Sequence, residues 1–155
     1  MRDGFVKVAA VTPDIRVADV AYNTQNICKM IDETVAKGAK VIVFPELCVT
    51  GYTCSDLFTQ DILLKESKEA LFKIAEYTKE KDAIIFIGVP LAIDGELYNV
   101  AAALNHGEIL GLTTKTFLPN YGEFYEMRQF TPASALDGTE TVSYTHLTLP
   151  TTSRV

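Results

Sequence analysis

The stretch VFPELCVTGYTCSDLF, residues 43–58, decides the fold of this chain. It begins inside a short apolar run, residues 41–44, that Pro45 stops. Such a run, ended by a proline, is typical of a buried strand. Glu46 therefore follows the carboxyl end of a strand, which is where the ligand sites of α/β sheets collect.

The flanking sequence repeats this pattern on both sides. Apolar runs at 5–11 and 83–89 predict two further strands, and apolar residues recur at helical spacing over about 23–37 and 61–79. The order strand, helix, strand, helix, strand predicts crossover connections and a sheet covered by helices on at least one face. Two more strand-like runs, 98–104 and 109–114, are joined by Asn105, His106 and Gly107, whose turn chemistry predicts a hairpin.

Composition excludes several classes of function. The 155 residues carry a formal net charge of −6 and no basic stripe, which argues against nucleic-acid binding. The apolar run 83–93 is too short to cross a bilayer and contains Gly88 and Pro90, so no membrane association is expected. Three irregularly spaced cysteines and an N-terminus without an export pattern indicate a reducing, cytoplasmic location.

Single residues give little information about function. An acidic residue after a strand often caps a helix, as Glu46 could, and most lysines, Lys115 included, are solvated surface residues. Zinc needs about four ligands with characteristic spacing, so no metal site is predicted.

The order of two motifs is more informative. The stretch 43–58 and the later KTFLPNYGEFYE, residues 115–126, together resemble the carbon–nitrogen hydrolase (nitrilase) superfamily, and within it the glutaminase domains of glutamine-dependent NAD⁺ synthetases. The resemblance implies an α/β fold that is the N-terminal part of a four-layer α-β-β-α sandwich. It covers roughly residues 4–132, and residues 1–132 are expected to form the N-terminal portion of one such domain, with no domain boundary inside them.

The resemblance also implies a catalytic set of glutamate, lysine and cysteine. Glu46 takes the position of the general base that accepts a thiol proton, and Lys115 that of the ammonium that stabilises the tetrahedral intermediate. Tyr52, Tyr121 and Phe124 would line a glutamine pocket. A supporting carboxylate is expected from Glu123 or Glu126, with the choice left open. Tyr121, Phe124 and Tyr125 could equally form an aromatic cluster under a long loop.

The nucleophile departs from the family pattern. In the family the catalytic cysteine follows the lysine motif, and no cysteine of this chain does. Cys28 falls within a predicted helix, while Cys48 and Cys54 flank the turn after Glu46 and could line the pocket. We therefore expect that the nucleophilic cysteine is absent from this chain and that the chain alone is inactive.

The implied function is release of ammonia from glutamine for a separate synthetase domain that makes NAD⁺ from deamido-NAD⁺. ATP and Mg²⁺ would belong to that domain, with no cofactor in this segment, and the full-length protein is expected to form a homo-oligomer. Two alternatives stay open. One is a free-standing amidase acting on an ω-amide or a carbamoylated amine, and the other is a non-catalytic scaffold of the same fold.

The end of the chain reads differently. Residues 142–151, VSYTHLTLPT, resemble the translation of a transposase mosaic end and its adjoining primer from sequencing libraries. We interpret 142–155 as non-native read-through and leave 133–141 unassigned.

Overall fold

The computed structural model describes residues 4–136, 140–143 and 147–150. Short 3₁₀ segments at Tyr52–Thr59 and Ala133–Ala135 accompany the regular elements. These elements are β1 Val8–Ala10, α1 Val20–Ala36, β2 Val41–Val43, α2 Asp61–Tyr77, β3 Ile84–Ile93, β4 Glu96–Asn105, β5 Glu108–Thr114, α3 Glu126–Gln129, β6 Glu140–Ser143 and β7 Leu147–Pro150.

The first five strands form one mixed sheet in the order β1-β2-β3-β4-β5. The pairs β1–β2 and β2–β3 are parallel, because α1 and α2 carry the chain back between them. The pairs β3–β4 and β4–β5 are antiparallel hairpins. The predicted α/β class and the predicted order of elements are confirmed.

The two faces of the sheet differ in what covers them. On one face, fully buried aliphatic side chains of α1 and α2, among them Ile27, Ile31 and Leu71, pack against strand residues such as Ile42 and Ile85. This is the hydrophobic core. On the opposite face the side chains in register across β1, β2 and β3 are partly solvent-exposed, including the following hydrophobic ones: Val8, Val43 and Ile84. Residues 4–136 thus supply one helix layer and one sheet of the expected sandwich.

Strand β3 is longer than predicted and continues through Pro90 to Ile93. The carbonyls of Phe86 and Gly88 accept hydrogen bonds from Phe44 and Val49, on the side of β3 away from β4. Because backbone groups alternate along a strand, the nitrogen of Pro90 faces that same side, where it interrupts no bond to β4.

The turns explain the two hairpins. Asp94 and Gly95 both have positive φ, 50° and 85°, and connect β3 to β4, a hairpin that the sequence reading did not predict. The predicted hairpin between β4 and β5 is confirmed, with His106 and Gly107 at φ 48° and 88°. Two consecutive residues of positive φ form the tight turn that matches the twist of antiparallel strands.

Strands β6 and β7 pair with each other as a separate two-stranded sheet. They fall largely within the stretch interpreted as read-through. That interpretation stays a prediction, and residues 144–146 and 151–155 lie outside the described residues.

Candidate active site

Three side chains from distant parts of the sequence gather near the ammonium of Lys115. Its Nζ lies 2.7 Å from Oε1 of Glu46 and 2.9 Å from both carboxylate oxygens of Glu126. The hydroxyl of Tyr52 donates to Oε1 of Glu126 at 2.7 Å. The fold therefore brings together residues 46, 52, 115 and 126, which sequence reasoning had selected.

Glu46 lies in a tight turn directly after β2. Leu47 has φ 52°, and the amides of Thr50 and Gly51 both donate to its carbonyl, at 3.1 and 2.8 Å. The amide of Val49 donates to the carbonyl of Gly88 on β3 at 3.3 Å, which ties the turn to the sheet. The backbone that carries Glu46 is thus held by its own turn and by the neighbouring strand.

Gly88 permits this turn to lie directly on β3. A Cβ atom at Gly88 would lie 2.3 Å from the nitrogen of Leu47 and 2.6 Å from the carbonyl oxygen of Pro45. Both distances are far below van der Waals contact, and both atoms belong to the backbone. Only glycine can occupy this position while the turn that carries Glu46 stays where it is.

Lys115 follows β5 and is fixed by its own backbone. Its amide donates to the carbonyl of Asn99 at 2.8 Å, and its carbonyl accepts from the amide of Ala133 at 3.0 Å. Burial lowers the pKa of Lys115, but the hydrogen bonds to Glu46 and Glu126 outweigh it, so its pKa lies above the ordinary value. The side chain is therefore an ammonium at neutral pH.

Glu126 is more enclosed than Lys115 or Glu46. Its side chain is only 5% exposed, whereas those of Lys115 and Glu46 are 29% and 40% exposed. Burial and the Glu126 carboxylate together raise the pKa of Tyr52, so its hydroxyl stays protonated and donates. A buried carboxylate needs such partners, because an unpaired one would be costly.

The structure distinguishes the two carboxylates that the sequence left open. Glu126 contacts Lys115, whereas Glu123 is exposed. Tyr121 is 72% exposed and packs edge to face against Phe124, with ring centroids 5.7 Å apart. These two rings lie outside the lining of the cleft described below, while Tyr52 meets the site through Glu126.

The three cysteines lie away from these contacts. The buried thiol of Cys48 donates to the carbonyl of Gly88, and burial raises its pKa to about 12. The buried thiol of Cys54 donates to the carbonyls of Thr50 and Gly51, and burial also raises its pKa. Cys28 is half-buried on α1, where burial again raises the thiol pKa. All three favour the protonated form, which is a poor nucleophile.

A cleft of about 340 Å³ opens beside Glu46 on the uncovered face of the sheet. It has a polar end and an apolar floor of strand residues. The polar end is formed by Glu46, Asn99 and Lys115, and the floor includes Val43, Phe86 and Ala101. Such a combination of an apolar wall and a few convergent polar groups is typical of small-molecule sites.

Two residues of the site were missed by sequence reasoning. Asn99 donates from Nδ2 to Oε1 of Glu46, and Gly88 supports the turn as described. A signal for Asn99 was available, because it is a lone amide in the otherwise apolar strand sequence LYNVAAAL. A buried polar side chain in such a strand requires a partner. The close approach at Gly88 leaves no comparable pattern.

Comparison with known protein families identifies the chain. The carbon–nitrogen hydrolase family model matches residues 7–151. The chain belongs to the carbon–nitrogen hydrolase family. The α/β fold is accordingly nitrilase-like, as predicted, and the matched span runs into the segment interpreted as read-through.

Relatives within this family are similar over most of the chain. The glutamine-dependent NAD⁺ synthetase of Mycobacterium tuberculosis (strain H37Rv) is 36% identical over 136 residues, or 88% of this chain. That of Aquifex aeolicus is 42% identical over 114 residues, or 74% of this chain. The crystal structure of the Cytophaga hutchinsonii enzyme superposes with a TM-score of 0.86 at 30% identity over 94% of this chain and 25% of its own.

The chain spans about a fifth of the length of the curated relatives it matches, 20% in both cases above. Within residues 4–136 no three histidine, cysteine or acidic side chains group together as a metal site would require. Over the same residues, neither long helix has the length and apolar character needed to span a bilayer.

Proposed function

We propose that this chain is part of the glutaminase domain of a glutamine-dependent NAD⁺ synthetase. It contributes the carboxylate that acts as general base and the ammonium of the amidase site. The observation that carries the proposal is the contact of Lys115 with both Glu46 and Glu126 at the mouth of a cleft. The similarity to two such synthetases over at least 74% of the chain supports the choice of substrate.

In the proposed reaction Glu46 accepts the proton of a thiol, and the thiolate attacks the side-chain amide carbon of glutamine. A carbon–sulfur bond forms as the carbonyl electrons move to oxygen. Collapse of this intermediate breaks the carbon–nitrogen bond, and the amine leaves as ammonia with the proton returned by Glu46. Water then attacks the thioester to release glutamate and the free thiol.

Lys115 stabilises the negative charge on oxygen in this scheme. A preorganised donor of this kind lowers the activation barrier by about 3 kcal/mol. Glu126 keeps the ammonium in place through two contacts, and Tyr52 donates a further hydrogen bond to its Oε1. Tyr121 and Phe124, on the loop between Lys115 and Glu126, are proposed to line the glutamine pocket.

The nucleophile in this proposal comes from outside the 155 residues. The three cysteines of the chain are each buried or half-buried and held as thiols, which does not suit them to the role. ATP, Mg²⁺ and deamido-NAD⁺ would be used by a separate synthetase domain in a cytoplasmic homo-oligomer.

Ammonia release from glutamine by the complete gene product tests the proposal. We expect turnover in the wild type and its loss in Glu46→Gln, which keeps the shape of the side chain but removes the base. The sequence beyond residue 132 should encode a cysteine at a strand end and an ATP-pyrophosphatase domain. Hydrolysis of other amides but not glutamine would overturn the substrate, and hydrolysis of none would favour a scaffold.

A second measurement uses the 155-residue chain itself. We expect no ammonia release from it, since it supplies the general base and the ammonium but not the nucleophilic thiol. Turnover that disappears in Cys48→Ala or Cys54→Ala would contradict this and would identify the nucleophile within the chain.

A further inference from the structure

Asn99 connects the two charged residues of the site through two different groups. Its side-chain amide donates from Nδ2 to Oε1 of Glu46, and its backbone carbonyl accepts the amide of Lys115 at 2.8 Å. It lies on β4 opposite Pro90 of β3 and is only 4% exposed. One residue thus holds the carboxylate by its side chain and the lysine by its main chain.

Both donors that reach Glu46 use the same oxygen. Nζ of Lys115 and Nδ2 of Asn99 each bind Oε1, and within residues 4–136 no hydrogen bond reaches Oε2. A carboxylate has two oxygens with lone pairs on each, so occupation of one oxygen by two donors fixes the rotation of the whole group. Oε2 is then free to accept another proton donor.

We propose that Asn99 is a positioning residue that, with Lys115, holds Oε1 of Glu46 and so assigns Oε2 as the atom that takes the proton of the attacking thiol. The inference rests on the proposed function and adds the identity of the basic atom. A proton leaves the thiol sulfur for Oε2 as the carbon–sulfur bond forms, and Asn99 keeps its own protons throughout.

The burial of Asn99 supports this role. A buried amide without a partner is costly, and Asn99 is almost fully buried. Asn105 at the other end of β4 provides a contrast, since its Nδ2 donates to the carbonyl of Ala83 at 3.0 Å and supports only the backbone beside a hairpin turn. The two asparagines therefore make a matched pair.

The first experiment compares Asn99→Ala with Asn105→Ala in the complete protein. Each substitution removes one side-chain donor from the same strand. We expect Asn99→Ala to lower kcat for glutamine hydrolysis by roughly tenfold with little change in KM, as for loss of one hydrogen bond to a charged group. Asn105→Ala should leave both constants unchanged. Equal kinetic losses in the two variants would overturn the inference.

The pH profile separates positioning from a purely structural role. Asn99→Asp keeps the shape of the side chain but puts a second carboxylate beside Glu46, where the other charged and titratable groups are Lys115, Glu126 and Tyr52. Two close carboxylates retain a proton to higher pH. We expect the acid limb of kcat/KM to move to higher pH by about one unit, whereas Asn105→Asp should not move it. An unmoved limb in Asn99→Asp would overturn the inference.

A crystal structure of the complete protein gives a readout that needs no substrate. We expect Oε1 of Glu46 to face Asn99 and Lys115 in the wild type, and the carboxylate to rotate in Asn99→Ala. An unrotated carboxylate would overturn the inference even if glutamine is hydrolysed. Rotation in a protein that hydrolyses no glutamine would instead uphold the placement by Asn99 and overturn the proposed function.

Discussion

The chain contains two clusters that each combine a tyrosine, a carboxylate and a lysine, and both clusters border a surface cleft. In the site described above, the tyrosine is Tyr52, the acid is Glu126 and the lysine is Lys115. On the outer surface of the helix layer, Tyr77 and Lys81 both bind Asp32 in the same way. Tyrosine donates to a carboxylate, and an ammonium binds that carboxylate, in both places.

The two clusters differ in their balance of charged groups. The helix-layer cluster has one ammonium and one carboxylate, and it joins α1 to the end of α2. The site has one ammonium and two carboxylates, and Glu46 keeps one oxygen without a hydrogen-bond partner within residues 4–136. A balanced set of charges can stabilise a fold, whereas an additional base beside a cleft can take part in chemistry. Residue type alone does not separate the two.

The largest expected effect comes from removing each lysine in turn. Lys115→Met in the complete protein should lower kcat for glutamine hydrolysis by roughly 150-fold, because the charge on the intermediate then lacks its ammonium. Lys81→Met is the matched control and should leave kcat unchanged. Similar losses in both variants, or none in Lys115→Met, would show that the two clusters do not differ in function as we propose.

A glycine pair tests whether the site depends on close backbone packing that the helix-layer cluster does not use. Gly88→Ala should lower kcat by about a hundredfold, because Cβ would displace the turn that carries Glu46. Gly111→Ala on β5 is the control, since its Cβ would meet no atom within 4 Å. Circular dichroism should show both variants folded, and full activity in Gly88→Ala would contradict the role given to the close approach.

Asn99 and Gly88 show how much of the site could be predicted from the sequence. The order of elements and the meeting of Glu46 with Lys115 followed from apolar runs, turn residues and family motifs, because those features act locally or are shared by relatives. Asn99 and Gly88 act through distances between separate strands. Asn99 looks like a polar exception in a strand, and Gly88 looks like a strand interruption, until the register of β3 and β4 places them under Glu46.

The start of helix α1 likewise depends on contacts that the sequence pattern does not show. Helix α1 begins at Val20, three residues before the predicted start, because Asp19 accepts the amide of Tyr22 and so caps the first turn. Periodicity locates a buried stripe but not the cap that precedes it. Buried Asn23 holds Arg16 through two hydrogen bonds of 2.8 Å and donates to Val49 at 3.0 Å, which ties α1 to the segment just after Glu46.

Acid should weaken the helix-layer cluster, whereas only alkali removes the ammonium of the site. The hydrogen bond from Lys81, followed by that from Tyr77, lowers the pKa of Asp32 below its ordinary 3.8. A lowered pKa in the folded state adds stability above the unfolded value, and this is lost as pH falls through the folded value. Lys115 has a raised pKa, so its contribution is present below 10.5 and is lost only in stronger alkali.

Thermal unfolding of Asp32→Asn measures this difference. The variant should be destabilised by less than about 1 kcal/mol at neutral pH, since the pair is partly exposed to solvent. The gap between wild type and variant should shrink as pH falls below about 4. A gap that stays constant down to about pH 2 would mean that the ionised carboxylate of Asp32 does not stabilise the fold.

The smallest expected effects come from the two tyrosines. Each variant, Tyr52→Phe or Tyr77→Phe, removes one hydroxyl that donates to a carboxylate and keeps the ring. Tyr52→Phe should lower kcat by roughly threefold, because Glu126 loses one neutral donor and then holds Lys115 less firmly. Tyr77→Phe should not alter kcat, because its carboxylate partner belongs to the balanced cluster. If the two variants reduce kcat equally, the hydroxyl of Tyr52 acts only on stability, and the chemistry of the site is confined to Glu46, Lys115 and Glu126.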